Sequence, residues 1–237
     1  MGGGARKRRP ALLDPAQLAD PASVRPPGGA VVDLHAHSME HSLDSGVSAE
    51  KLAAQAAARG LDGICLTDHN AIWPAAALRE LSERHGVAVL PAMELGTDIG
   101  HVLVFGLDHF VPELLMIDRL RAVVRSEEAA MVLAHPMRVL GGRTPSWEEI
   151  PDWFEALEAI NGDHSDSEHG QYVRLAASLS VAGVGGSDAH TREAVGRVGT
   201  AFPEPVADVG TLVRLLRAGQ ATAVDLRPRT SLFETGA

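Results

Sequence analysis

From Ala30 onward, short apolar runs alternate with helix-forming stretches, and nearly every run ends on a side chain that binds metals or moves protons. Val31-Val32-Asp33-Leu34 leads into His35-Ala36-His37, and Ile64-Cys65-Leu66-Thr67 into Asp68-His69. Val89-Leu90 leads to Glu94, Val132-Leu133-Ala134 to His135-Pro136, and Val184-Gly185-Gly186-Ser187 to Asp188-Ala189-His190. Short apolar runs bounded by turn signals read as buried strands, and strands alternating with helices make βαβ units and a parallel sheet. The C-termini of such strands converge on one face, so residues scattered in sequence should meet in space.

The strands read as Ala30 to Leu34, Gly63 to Thr67, Val87 to Pro91, His101 to Gly106, Met131 to Ala134, Leu157 to Ile160 and Val181 to Gly185. Between them, Ser48 reads as an N-cap with Lys51 to Arg59 helical and Gly60 as the stop. Pro74 to His85 is a helix ended by Gly86; Pro112 to Glu128 is mainly helical. Trp147 to Phe154 is a short helix, Glu168 to Leu179 a longer one, and Val206 to Ala218 an amphipathic one. Roughly seven strand–helix units suit either a closed barrel or an open doubly wound sheet. No glycine-rich phosphate loop is present.

Residues 1–29 read as a disordered leader, with a basic cluster at Arg6, Lys7, Arg8 and Arg9 and a Pro26-Pro27-Gly28-Gly29 end. The apolar stretch after the basic cluster is too short for a signal peptide, and no run is long enough to span a membrane. A single cysteine, Cys65, excludes an internal disulfide and reads as a buried, inert thiol. These features predict a cytoplasmic protein with one domain over residues 30–228 and a tail at 229–237. The net charge of -10 argues against a long polyanionic partner, while leaving room for a nucleotide or short oligonucleotide. Bound divalent metals would reverse the local field for a small phosphorylated substrate.

His35 and His37 stand two apart on an extended segment, so both rings point to one side, and Asp188 and His190 repeat the arrangement. A carboxylate such as Glu94 or Asp188 can bridge neighbouring cations. Any one of these residues alone has a plainer reading: a histidine satisfied by a carbonyl, an aspartate capping a turn. The coincidence at five strand ends is what points to a metal cluster. His85 suits the last turn of its helix, and His109, His164 and His169 read as surface histidines in loops.

Together these residues resemble the PHP family, named for the polymerase and histidinol phosphatase domain. The resemblance covers about Ala30 to Val224. It rests on Asp33-Leu34-His35-Ala36-His37-Ser38, Thr67-Asp68-His69, Glu94 in Ala92-Met93-Glu94, His101 opening a strand, His135-Pro136, and Gly186 to His190. It implies a distorted (β/α)7 barrel, phosphoesterase activity, and nine metal ligands: His35, His37, Asp44, His69, Glu94, His101, His135, Asp188 and His190. Asp44 stands far from His37, with His41 between them, so either could fill that ligand position; Asp44 is the choice. The short stretch from His101 to His135 leaves no room for an inserted subdomain.

Two or three divalent ions, Zn, Mn or Fe, suit this set of nitrogen and oxygen ligands. The expected reaction is hydrolysis of a small phosphate monoester or nucleotide-like phosphate by a metal-bridged hydroxide, with Glu94 central to it. Arg138, Arg143 and Arg197 are candidate phosphate anchors, and His41 is a candidate proton donor. An amidohydrolase acting on C–N bonds is one rival, although the only lysine past the leader, Lys51, lies on a predicted helix and not at a strand end. A non-catalytic metal-binding domain is the other.

Overall fold

The computed structural model describes residues 18–136, 138 and 146–228. Nine strands form one sheet in the order β7-β6-β5-β4-β3-β2-β1-β8-β9. They are β1 (Ala30–Ala36), β2 (Gly63–Leu66), β3 (Ala88–Thr97), β4 (Gly100–Phe105), β5 (Ala130–Leu133), β6 (Ala156–Asn161), β7 (Ala182–Gly186), β8 (Val198–Phe202) and β9 (Thr222–Asp225). β1, β2 and β3 run parallel, as do β5, β6 and β7. β4 runs against both of its neighbours. This hairpin, which replaces a strand–helix unit, is the distortion of the barrel.

The helices are α1 (Ala49–Ala58), α2 (Ala75–His85), α3 (Ile117–Ser126), α4 (Ile150–Trp153), α5 (Asp166–Leu179) and α6 (Val209–Arg217). Ser48 caps α1 by accepting from the Lys51 N–H, and Gly86 ends α2 at φ 66°. Alternate residues of the strands turn inward to form one core, including Val32, Leu34, Cys65, Leu103, Phe105, Val132 and Val184. α6 closes that core with Leu212, Val213, Leu215 and Leu216, each worth about 1.5–3 kcal/mol when fully buried. The other strand faces pack under α1 and α2 on one side and under α3, α4 and α5 on the other.

The barrel closes where β7 returns to β1. β8 occupies the first half of the β1 edge, pairing at Ala30, Val31 and Val32. Farther along, Ala36 bridges to Ala189 beyond β7. Asp33 sits at this changeover, accepting from Ser187 N (2.8 Å), Gly196 N (3.2 Å) and His35 N (3.3 Å). Burial pushes its pKa up to about 6 in spite of those donors. Gly186 permits the approach, because a Cβ there would lie 2.3 Å from the Cβ of His35.

Two sequence expectations change. The sequence pattern predicts no strand at β8 or β9; both are short, and β9 is only partly buried. Residues 18–28 are packed, although composition puts them in a disordered leader. Leu18 is buried, Ala19 N–H donates to Leu226 O (2.7 Å), and Arg25 Nε pairs with Asp62 Oδ2 (2.7 Å). The rest of the leader and the tail from 229 lie outside the described residues. No helix among the described residues is long and apolar enough to cross a membrane.

Candidate metal centre

All nine residues expected as ligands meet at one end of the barrel, where the parallel strands finish and the reversed β4 begins and carries His101; Asp44 comes from the loop after β1. Glu94, on β3, is the hub. Its Oε1 lies 2.7 Å from His101 Nδ1 and 3.0 Å from His135 Nε2. Its Oε2 lies 3.1 Å from His69 Nδ1, 3.2 Å from His37 Nε2 and 3.4 Å from His35 Nε2. Asp188 Oδ1 faces His37 Nε2 (3.3 Å) and His35 Nε2 (3.5 Å) from the other side. Asp44 completes the rim, with Oδ2 3.2 Å from His69 Nε2 and 3.3 Å from His190 Nε2. Four overlapping triplets have donor atoms within 4.8 Å of one another: His35-His37-Glu94, His35-His135-Asp188, Glu94-His101-His135 and His37-His69-His190.

Tautomers test whether these groups fit a metal. His35 Nδ1 lies 2.9 Å from the Glu158 carboxylate, so Nδ1 carries the hydrogen and Nε2 presents a lone pair. Ser42 Oγ already donates to Asp68 Oδ1, so it can accept from His37 Nδ1, which turns the His37 Nε2 lone pair inward as well. The two Nε2 atoms are 3.0 Å apart. His190 Nδ1 donates to Asp188 O, which aims its Nε2 lone pair at a carboxylate oxygen of Asp44. Lone pairs facing lone pairs at this range need a proton or a cation between them. The donor set therefore fits divalent metal ions.

The titration behaviour agrees. Burial disfavours a charged His37, yet hydrogen bonds to Asp188 and Glu94 outweigh it and push its pKa up to about 9. Burial likewise opposes a charged His35, but the negative charges of Asp188, Glu94 and Glu158 outweigh it and raise its pKa. Burial would raise Glu94 and Asp188, but the surrounding imidazoles pull both well below the carboxylate range. Without metal, protons take the cation positions. His135 (φ 26°) and Asp188 (φ 51°) both hold left-handed backbone conformations, strain of about 1–3 kcal/mol each that gathers at this site.

The remaining candidates are placed differently. His41 is exposed and meets the edge of Trp73 (4.8 Å between ring centroids); it is Asp44 that meets the histidines. Arg138 Nη1 donates to Asp188 Oδ2 (3.1 Å), so it stands beside the cluster. Arg197 is buried, and its Nε and Nη2 have no partner among the described residues. Arg143 lies outside the described residues. His164 and His169 are not surface histidines; both are 6% exposed. Burial lowers His164 to about 4, keeping it neutral.

Sequence reasoning missed Glu158 and Asn161. Glu158 is fully buried on β6, accepting from His35 Nδ1, His135 N and Asn161 Nδ2, all at 2.9 Å. The signal was available: an acidic residue inside the apolar run Leu157-Glu158-Ala159-Ile160 has no business in a core unless it is paired. Asp68 has a supporting part, accepting from Ser38, Ser42 and Trp73 to pin the loop that carries Asp44.

A family model described as the PHP domain matches residues 33–165, and a PHP-associated model matches residues 167–221. The chain belongs to the PHP domain family. Among curated proteins, an error-prone DNA polymerase of Nocardia farcinica is 32% identical over 94 residues, which is 40% of this chain and 8% of the polymerase. The matched segment is thus a small fraction of that relative. Solved structures that share the fold include the following three. PsfC from Pseudomonas syringae PB-5123 is 24% identical, covers 86% of this chain and 95% of its own, and has a TM-score of 0.63. A two-domain protein containing a predicted PHP-like metal-dependent phosphoesterase, from Bacteroides vulgatus, is 17% identical over 94% of this chain and 70% of its own (TM-score 0.62). An amidohydrolase from Chromobacterium violaceum is also 17% identical, over 84% and 98% respectively (TM-score 0.61).

Proposed function

We propose that this PHP protein is a metal-dependent phosphoesterase that hydrolyses a small phosphate monoester or nucleotide-like phosphate. The observation that carries this reading is the set of inward lone pairs, with His35 and His37 Nε2 3.0 Å apart between Glu94 and Asp188. Two or three ions of Zn, Mn or Fe would be held by the nine clustered residues; such ions lower the pKa of water and neutralise phosphate oxygens.

The chain's own residues account for the rest. Glu94 offers one carboxylate oxygen to His101 and His135 and the other to His35, His37 and His69, so its charge offsets repulsion between neighbouring cations. Arg138 reaches the cluster at Asp188 with guanidinium donors to spare for a phosphate oxygen. Arg197 brings two buried donors without a hydrogen-bond partner among the described residues, which suits it to an anionic group of the substrate. The acidic surface favours a small molecule or short oligonucleotide over a long nucleic acid. An amidohydrolase reading would call for a lysine near the metals, and Lys51 is exposed on α1.

Screening the protein, loaded with Mn or with Zn, against a panel of phosphate monoesters, nucleotides and amides tests the proposal. Turnover of at least one phosphate ester and none of the amides is expected. Amide turnover alone, or a metal-loaded protein inert to the whole panel, overturns it.

A further inference from the structure

A fifth cluster of potential metal ligands lies away from the centre just described. Asp166, His169 and Asp225 bring donor atoms within 4.8 Å of one another. This seat already has a cation. Nη2 of Arg227 lies 2.7 Å from His169 Nδ1, 2.8 Å from Asp225 Oδ2 and 3.0 Å from Asp166 Oδ1. Arg227 Nη1 also donates to His164 O (2.8 Å), and its Nε to Asp225 Oδ1 (2.9 Å). Its side chain is only 13% exposed.

The Asn161 carbonyl can only accept, so His169 Nε2 carries the ring hydrogen and Nδ1 presents its lone pair to Arg227 Nη2, which can only donate. Nε2 donates to Asn161 O at 2.8 Å. Asn161 is buried, and its Nδ2 donates to Glu158 Oε2 (2.9 Å) and Asp188 Oδ2 (3.3 Å). Glu158 in turn holds His35 Nδ1 and the backbone of His135. Hydrogen bonds, joined across the covalent frame of Asn161 from its backbone O to its side-chain amide, thus lead from the segment after β9 to His35, His135 and Asp188.

We propose that Arg227 is a positioning residue of the metal centre, acting through His169 and Asn161 on the carboxylates of Glu158 and Asp188. The internal cation anchors the His169 ring, the ring anchors Asn161, and Asn161 aims both carboxylates. This rests on the reading of the cluster as a metal centre. Partners behind the ligands of a metal commonly change its affinity about 10–100-fold.

The test is metal release, independent of any substrate. Zn-loaded protein is mixed with excess chelator and the release rate measured. Arg227→Ala is expected to speed release of the most slowly lost ion about tenfold, Arg227→Lys by less, and Asn161→Ala by at least as much as Arg227→Ala. The double variant should release no faster than Asn161→Ala alone, because both substitutions cut one chain. Leu226→Ala, which removes a fully buried neighbour outside the chain, should lower the melting temperature and leave release unchanged. Arg227→Lys supplies the answer if Arg227→Ala does not fold. Wild-type release rates in both Arg227 variants overturn the proposal, as does a double variant whose acceleration equals the product of the singles, or a Leu226→Ala variant that releases as fast as Arg227→Ala. Wild-type protein that takes up no metal overturns the metal centre and this inference together, whereas normal uptake with unchanged release in the variants overturns this inference alone.

Discussion

The nine clustered residues divide by depth. His35, His37, Glu94, His135 and Asp188 are buried, whereas His69, His101, His190 and Asp44 keep side-chain exposures of 29%, 21%, 27% and 55%. Four of the inner five are braced by groups behind them: Glu158 behind His35 and His135, Ser42 behind His37, Asn161 and Arg138 beside Asp188. Among the rim residues, Asp44 is held through His69 and His190 and through the pinned loop around Ser42. Inner ligands are preorganised in a water-poor setting, where charge interactions are strong; rim ligands work in partly solvated surroundings that weaken them. The inner seats should therefore keep their ions tightly and the rim seat should exchange its own.

Glu94→Gln is the harshest test of that division. It keeps the shape and removes the charge against which five imidazoles are arranged. Turnover should fall at least ~100-fold, the scale of losing a main electrostatic element, and bound metal should fall below the wild-type count by elemental analysis. Near wild-type turnover and metal content would show that Glu94 is not the hub.

Asp44→Ala probes the rim. One ion should become easily lost, lowering turnover by about tenfold at limiting metal, with recovery when metal is added in excess. A loss as deep as that of Glu94→Gln, not recovered by metal, would erase the distinction between inner and rim seats. Arg138→Ala should act on affinity: KM should rise about tenfold or more, the scale of the ~1.5–3 kcal/mol of a hydrogen bond to a charged group, with little change in kcat. A fall in kcat with KM unchanged would show that Arg138 serves Asp188 rather than the substrate.

The inner and rim residues were legible in the sequence to different degrees. His35, His37, Glu94, His135 and Asp188 announce themselves because each follows an apolar run, and strand ends in an α/β fold converge. Asp44 carries no such mark. It sits on a loop whose path is set by Asp68, Ser38 and Ser42, and it was reached only through the family resemblance. Glu158 left a mark, an acid inside an apolar run, but its role and those of Asn161 and Arg227 are pairwise, with partners far away in sequence. β4 reads correctly as a strand, but no periodicity shows that it runs backwards; that follows from the turn at Gly100, at φ 121°. The packed segment from Leu18 was hidden by composition, since a few contacts suffice to dock proline-rich chain on a formed barrel.

The smallest effect, a matter of a few degrees in melting temperature, distinguishes the two depths by pH window. In metal-free protein His37 has its pKa raised from 6.5 to about 9. A raised histidine binds its proton more tightly when folded, so its contribution to stability is full below pH 6.5 and is lost as pH rises through about 9. Asp44 is shifted the other way: burial would raise its pKa, but His69 and His190 lower it below 3.8. Its contribution is present above pH 3.8 and is lost as pH falls through the lowered value. Metal-stripped protein should therefore melt at a lower temperature at pH 9 than at pH 6.5. His37→Gln should shrink that decline, leaving the part that His35 and His69 supply, while Asp44→Asn should leave the His37 part intact, trim only what it lends His69, and act mainly in acid. Metal-loaded protein should show the opposite slope over the same window, because binding requires His37 to be neutral and tightens as protons become scarce. If metal-stripped and metal-loaded protein give parallel melting curves between pH 6.5 and 9, the inner imidazoles do not exchange protons for metal, and depth is not what separates the two sets of residues.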